Sequence, residues 1–199
     1  AQGKEDQVIG YADVTGIIFN GNNYSEEWHK EAKKRGLLAL NSTAEALPYI
    51  TDKKAIELFT THKVFTESEL VSRRDVKLNT YSKTLKIEAL TMLEMTRRDI
   101  LPAVINFKAK VSSEILALSA IGPEMDCSVE KTLLAKISKL SMKLGRALKT
   151  LEQLTEKSDD FSTNQAEADY YNDKMLPAMN NLREIVDELE TIEIGRAHV

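Results

Sequence analysis

Between residues 66 and 192, apolar side chains recur in steps of three and four, the spacing that gathers them on one side of an α-helix. The first run takes in Leu78, Tyr81, Leu85, Ala89 and Met92, then resumes past Pro102 at Val104, Phe107, Val111, Ile115 and Leu118. The second is Val129, Leu133, Ile137, Leu140, Leu144, Leu148 and Leu151, and the third is Tyr171, Met175, Met179, Leu182, Val186 and Leu189. Each run predicts a long helix with one apolar stripe, and such stripes favour packing at the shallow angles of a bundle. Gly122-Pro123 and the polar Lys157-Ser158-Asp159-Asp160 punctuate the runs. Short connections at 122–127 and 157–163 therefore make successive long helices antiparallel neighbours. Pro102 and Pro177 each remove a backbone donor and crowd the preceding turn, so a kink or break is expected at both.

Upstream of residue 66 the elements are shorter. Ile17-Ile18-Phe19 followed by Asn20-Gly21-Asn22-Asn23 reads as an extended piece ending in a tight loop. A helix is predicted over 25–35, with Asn23 and Glu26 able to form a capping box and Gly36 placed for a left-handed stop. Ser42-Thr43-Ala44-Glu45 is a further box, whose helix Pro48 cuts short. Another helix covers 52–61, with Ile56 and Phe59 on its small apolar face. Thr66-Glu67-Ser68-Glu69 is a third box, and it opens the long element. No glycine falls between Gly36 and Gly122, as long helices require, since an interior Gly costs about 1 kcal/mol relative to Ala. The expected fold is thus mainly α: a short extended segment and small helices, then long antiparallel helices forming a bundle.

Composition narrows the class of partner. The net charge of −4 argues against a dedicated nucleic-acid binder, and the pairs Arg73-Arg74 and Arg97-Arg98 have acidic neighbours that suit a solvated helix face. No run approaches the roughly 18–20 apolar residues of a membrane span, and the first residues lack the basic start and apolar core of a secretory signal. One cysteine, Cys127, allows no intrachain disulfide and suits a reducing cytoplasm.

The search for chemistry finds little. The sequence has no Gly-rich phosphate loop, no HExxH and no CxxC. His29, His62 and His198 are scattered, and His29 reads as a surface residue on a charged helix. Cys127 sits before a helix without a His or Cys partner and reads as a bland surface or half-buried thiol. Met92, Met95, Met175 and Met179 could form an adaptable groove, but their helical spacing favours core packing, as does the placing of Trp28 and Tyr170-Tyr171. The loop Asn20 to Tyr24 could offer amides to a ligand or simply make a turn, and the turn is favoured. Glu88 and Glu94 are the carboxylates to follow, with a structural role favoured for both.

Four segments, in order, carry a resemblance: IIFNGNNYSEEWHKEAKKRGL at 17–37, STAEALP at 42–48, IEALTMLEMTRRDILPAV at 87–104 and YYNDKMLPAMNNLREIVDELE at 170–190. Together they resemble the C-terminal region of the type III glutamine synthetases. The resemblance implies a parent ligase, typically dodecameric, that makes glutamine from glutamate, ammonia and ATP with magnesium. In such enzymes the catalytic groups lie in an upstream barrel. It therefore implies no catalytic, cofactor-binding or metal-binding residue and no cofactor in this chain, which is expected to be inactive alone. Its expected role is packing against the upstream catalytic domain and between subunits in a cytoplasmic homo-oligomer, with neither nucleic acid nor membrane as partner.

On this reading residues 1–16 are an unmatched N-terminal segment, 17–65 join the catalytic domain, and 66–192 are the bundle. The ending EIGRAHV (193–199) resembles translation of a common sequencing-library adapter. The alternative is a stand-alone helical interaction or oligomerisation module, and a further one is that Asn20 to Tyr24 completes a substrate pocket in the assembled parent.

Overall fold

The computed structural model describes residues 20–22, 24–157 and 161–193. The chain divides into two compact units, Ala1–Ser42 and Thr43–Val199. In the first unit the described regular element is α1 (Glu26–Lys34). Glu26 and Glu27 sit in its positive first turn and Lys33 and Lys34 in its negative last turn, so its charges complement the helix dipole. Gly36 stops it with φ 73°, the left-handed conformation that a residue lacking Cβ adopts without strain. The expected extended piece at 17–19 and the Asn23 cap lie outside the described residues.

The second unit starts with α2 (Thr43–Ala46), which tightens into a 3-10 turn (Leu47–Thr51) at Pro48, and continues with α3 (Lys53–Thr61). Next comes α4 (Glu67–Met95). Its start is the predicted capping box: the Glu69 N–H donates to Thr66 Oγ1 (3.3 Å), and the Thr66 N–H donates to Glu69 Oε2 (2.8 Å). α5 (Leu101–Ile121), α6 (Ser128–Glu156), α7 (Asn164–Tyr170) and α8 (Leu176–Glu193) complete it. The connections at 122–127 and 157–163 fall where the sequence pattern puts them. Each has its own fastening: Asp126 accepts from the Ser128 N–H (2.9 Å) before α6, and Thr163 accepts from the Ala166 N–H (3.1 Å) at the start of α7.

Neither proline breaks its helix. A five-residue π turn, Thr96–Ile100, joins α4 to α5 one residue before Pro102, and a second, Tyr171–Met175, joins α7 to α8 before Pro177. In each case the residue ahead of the proline, Leu101 or Leu176, donates five residues back, to the Thr96 or the Tyr171 carbonyl. Widening the turn absorbs the donor that proline lacks and relieves the crowding its ring would cause in an α turn. Residues 67–121 are therefore one helical rod of roughly 80 Å, where the sequence pattern had led to an expected kink or break.

The core lies where the rod, α6 and the α7–α8 helix meet. It contains Leu85, Ala89, Leu93, Val104, Ile137, Leu140, Leu144, Leu148 and Leu151, with Tyr171, Met175, Met179, Leu182, Val186 and Leu189 from the last helix. Burying each such side chain is worth about 1.5–3 kcal/mol relative to exposure. A smaller cluster, Ala44, Leu47, Leu78 and Ala168, seats the short helices on α4 and α7. Polar links reinforce that seat: Gln165 Nε2 donates to the Ala44 carbonyl (3.0 Å), and Arg74 Nη1 donates to Thr51 Oγ1 (3.0 Å).

Two expected core positions fail. Val129 is 73% exposed and Met95 52% exposed. Val129 is in the first turn of α6, and Met95, at the end of α4, falls off the buried line of Leu85, Ala89, Leu93 and Thr96. Tyr81 and Met92 are half-buried against the core.

Candidate functional site

The side chains with chemical potential are dispersed through the structure. In the loop ahead of α1, Asn22 Oδ1 accepts from the Tyr24 N–H (3.0 Å), while the Asn22 carbonyl accepts from Ser25 Oγ (2.7 Å) and the Ser25 N–H (3.0 Å). Asn22 is thus engaged in making the turn. Tyr24 beside it is 95% exposed. His29 and Trp28 are half-buried on α1, while His62 is exposed at the C-terminal cap of α3. His198 lies outside the described residues. Among the described residues no group of three or more His, Cys, Asp or Glu side chains is placed to hold a metal ion.

Cys127 departs from its expectation. The thiol is buried, at the position capping α6, with Sγ 3.7 Å from the Met125 carbonyl oxygen that it faces as donor. Small apolar volume explains that placement, since a free cysteine behaves as a small hydrophobe. Met175 and Met179 are buried in the core and Met92 half-buried beside them. Tyr171 is fully buried, and Tyr170 donates its hydroxyl to the Leu154 carbonyl (2.8 Å), tying the last helix to α6.

Glu88 and Glu94 are exposed on α4. Glu94 pairs with Arg98 one turn on (2.7 Å), and Glu88 borders an open groove between α4 and α8 lined by Ile87, Met92, Met179 and Arg183. A groove of mixed lining runs along the N-terminal half of α4, past Ser68, Val71, Ser72, Asp75, Val76 and Asn79, to Asn164. Neither groove gathers a nucleophile with a base, or a carboxylate pair with a buried cation.

Electrostatic shifts tell the same story. Glu69 and Asp126 are held below the usual carboxylate range chiefly by backbone N–H donors, from Thr66 and Ser128 respectively. Glu31 is lowered by the hydrogen bond from Arg35. Tyr81 and Tyr170 are raised, first by burial and then by Asp173 and Tyr171 respectively. Every one of these groups fastens a helix end or packs an interface between helices. Three contacts had no signal in the spacing of the sequence: the Arg97–Glu152 pair between the π turn and α6, Arg73 over the Phe65 ring (4.4 Å), and Tyr170 against Phe161.

With this arrangement of helices in view, comparison with known proteins becomes decisive. The family described as glutamine synthetase C-terminal domain matches residues 9–119. The chain belongs to that family. A glutamine synthetase of Butyrivibrio fibrisolvens is 36% identical over 176 residues, covering 88% of this chain and 25% of the relative. A type-3 glutamine synthetase of Dictyostelium discoideum is 29% identical over 180 residues, with 88% and 24% covered. A glutamine synthetase of Bacteroides fragilis (strain YCH46) is 25% identical over 178 residues, with 87% and 24% covered. The type III resemblance carried by the four segments agrees with the type-3 name of the Dictyostelium discoideum relative. This glutamine synthetase C-terminal region spans about a quarter of the length of the curated relatives it matches. No helix among its described residues is long and apolar enough to cross a membrane.

Proposed function

We propose that this chain is the helical C-terminal portion of a type III glutamine synthetase and that it contributes packing surface rather than chemistry. The observation that carries the reading is one of coverage. Relatives named glutamine synthetase align with nearly all of this chain, yet the chain fills only about a quarter of them. Its described residues assemble into a helical core, and no group of three or more His, Cys, Asp or Glu among them is placed to hold a metal ion, which supports a packing role.

On this proposal the complete enzyme is cytoplasmic and joins glutamate and ammonia at the expense of ATP, with magnesium. Such a reaction needs metal-held phosphates, and carboxylate ligands for that metal. Those groups belong to the upstream catalytic domain, and this chain binds no cofactor itself. Residues 17–65 lead from that domain into the bundle of 66–192, which packs against it and between subunits of a homo-oligomer, a dodecamer by resemblance. Apolar side chains left open at Leu116, Ile121 and Val129 support a role in further packing.

Reading the source DNA on both sides of this frame tests the proposal. The expected result is an in-frame upstream region encoding the catalytic domain. A promoter and start codon directly before Ala1 would contradict it and make the chain a free-standing interaction module.

A further inference from the structure

The surface of α6 is electrically lopsided. Between Lys131 and Lys149 it carries Lys131, Lys136, Lys139, Lys143, Arg146 and Lys149 and no carboxylate, in a chain whose net charge is −4. All six are exposed. At 100° per residue they fall within one arc, because Lys136, Lys139, Lys143 and Arg146 follow one another by three and four. The buried positions Ile137, Leu140, Leu144, Ala147 and Leu151 occupy the opposite side.

The neighbouring helix has the opposite charge. On α8, Glu184 and Glu188 are exposed on the flank toward α6, while Asp187 and Glu190 fall with Arg183 on the flank toward α4, where Arg183 lies 3.6 Å from Asp187. Among the described residues one ion pair spans the two helices, Lys136 Nζ to Glu188 Oε1 at 3.4 Å. Because α6 and α8 are antiparallel, that pair sets Lys139 about level with Glu184 and Lys143 about level with Asn181. The outer groove between α6 and α8 thus has a positive bank and a negative bank running side by side.

We infer that this two-banked face docks on the same face of a second copy of the chain. A two-fold axis along the groove sets the positive bank of each copy over the negative bank of the other, with α6 antiparallel to the second copy's α8. The face is therefore self-complementary, as a closed isologous dimer requires. An extended polyanion suits it less well, because a nucleic acid laid along α6 would also meet the carboxylates of α8. Exposed ion pairs are individually weak, so the association is weak and salt-sensitive. This inference rests on the homo-oligomer reading above and assigns it a surface.

Sedimentation of the 199-residue chain, over a concentration series into the millimolar range, tests it. At about 0.02 M salt the weight-average mass rises toward twice that of one chain, and at about 0.5 M it returns to one. A Lys139→Glu/Lys143→Glu variant and a Glu184→Lys/Glu188→Lys variant each stay monomeric at low salt, with circular dichroism unchanged. Mixed one to one, they associate again, because the reversed banks complement each other. A wild-type chain monomeric at low salt overturns the inference, as does association that survives high salt and both reversals. Monomeric wild type that instead captures a labelled oligonucleotide overturns it in favour of a polyanion. None of these failures touches the glutamine synthetase reading, which the upstream DNA tests separately.

Discussion

α8 and α5 share one device at their start, a π turn and a proline, and then diverge. In the last helix, Tyr171, Met175, Met179, Leu182, Val186 and Leu189 are all buried. In α5, Val104 and Val111 are buried, Phe107, Ile115 and Leu118 are half-buried, and Leu116 is 72% exposed. The sequence stripes are equally regular. The difference lies in neighbours, because α8 lies in the seam between the rod and α6, whereas α5 packs chiefly on α6 and touches α8 only sparsely. Periodicity identifies a face that needs a partner, and the rest of the fold decides whether the partner is in this chain.

Matched truncations put the largest numbers on that contrast. Leu182→Ala and Leu144→Ala, both at fully buried sites, should each cost about 2–5 kcal/mol in chemical denaturation, while Leu116→Ala should stay within about 0.5 kcal/mol. Equal losses at Leu182 and Leu116 would erase the distinction between covered and open positions. A smaller effect is expected at the start of the rod, where no deep burial is involved. Thr66→Ala removes the cap of α4 and should cost about 1 kcal/mol by the same assay.

On the uncovered side of α6, Gly145 tests whether local backbone preference governs. A Cβ there would meet nothing within 4 Å. Gly145→Ala should therefore raise stability by about 0.5–1 kcal/mol, and a loss would mean that the position is more crowded than this fold allows.

The smallest effect is that of pH. Glu69 and Asp126 have folded-state pKa values below their unfolded ones, since backbone N–H groups favour the carboxylates. Their contribution is complete above the ordinary carboxylate range and is lost as the pH falls through the depressed values. The melting temperature should drop on acidification below about pH 4. Glu69→Gln should flatten part of that drop, and an unchanged acid limb in this variant would argue against the Thr66–Glu69 box.

Much of the bundle was legible in the sequence because its signals are local. Capping at Thr66, the stop at Gly36 and both short connections between the long helices depend on residues a few positions apart. The π turns were not legible, since Pro102 and Pro177 announce a lost donor but not whether the chain breaks or widens to absorb it. Val129 and Met95 misled because a stripe's spacing does not say where its cover ends. Cys127 went deeper than expected because its burial depends on how the 122–127 turn folds back. Identification came from the four ordered segments and the relatives, since no group of three or more His, Cys, Asp or Glu among the described residues is placed to hold a metal ion that would point to a chemistry.

The central claim is that this chain supplies surface and no chemistry, and glutamine formation by the purified 199 residues tests it most directly. With glutamate, ammonia, ATP and magnesium supplied, the account predicts no glutamine above a protein-free blank. Sustained turnover that scales with chain concentration and survives repurification would contradict it, and would mean that reacting groups lie within these helices after all.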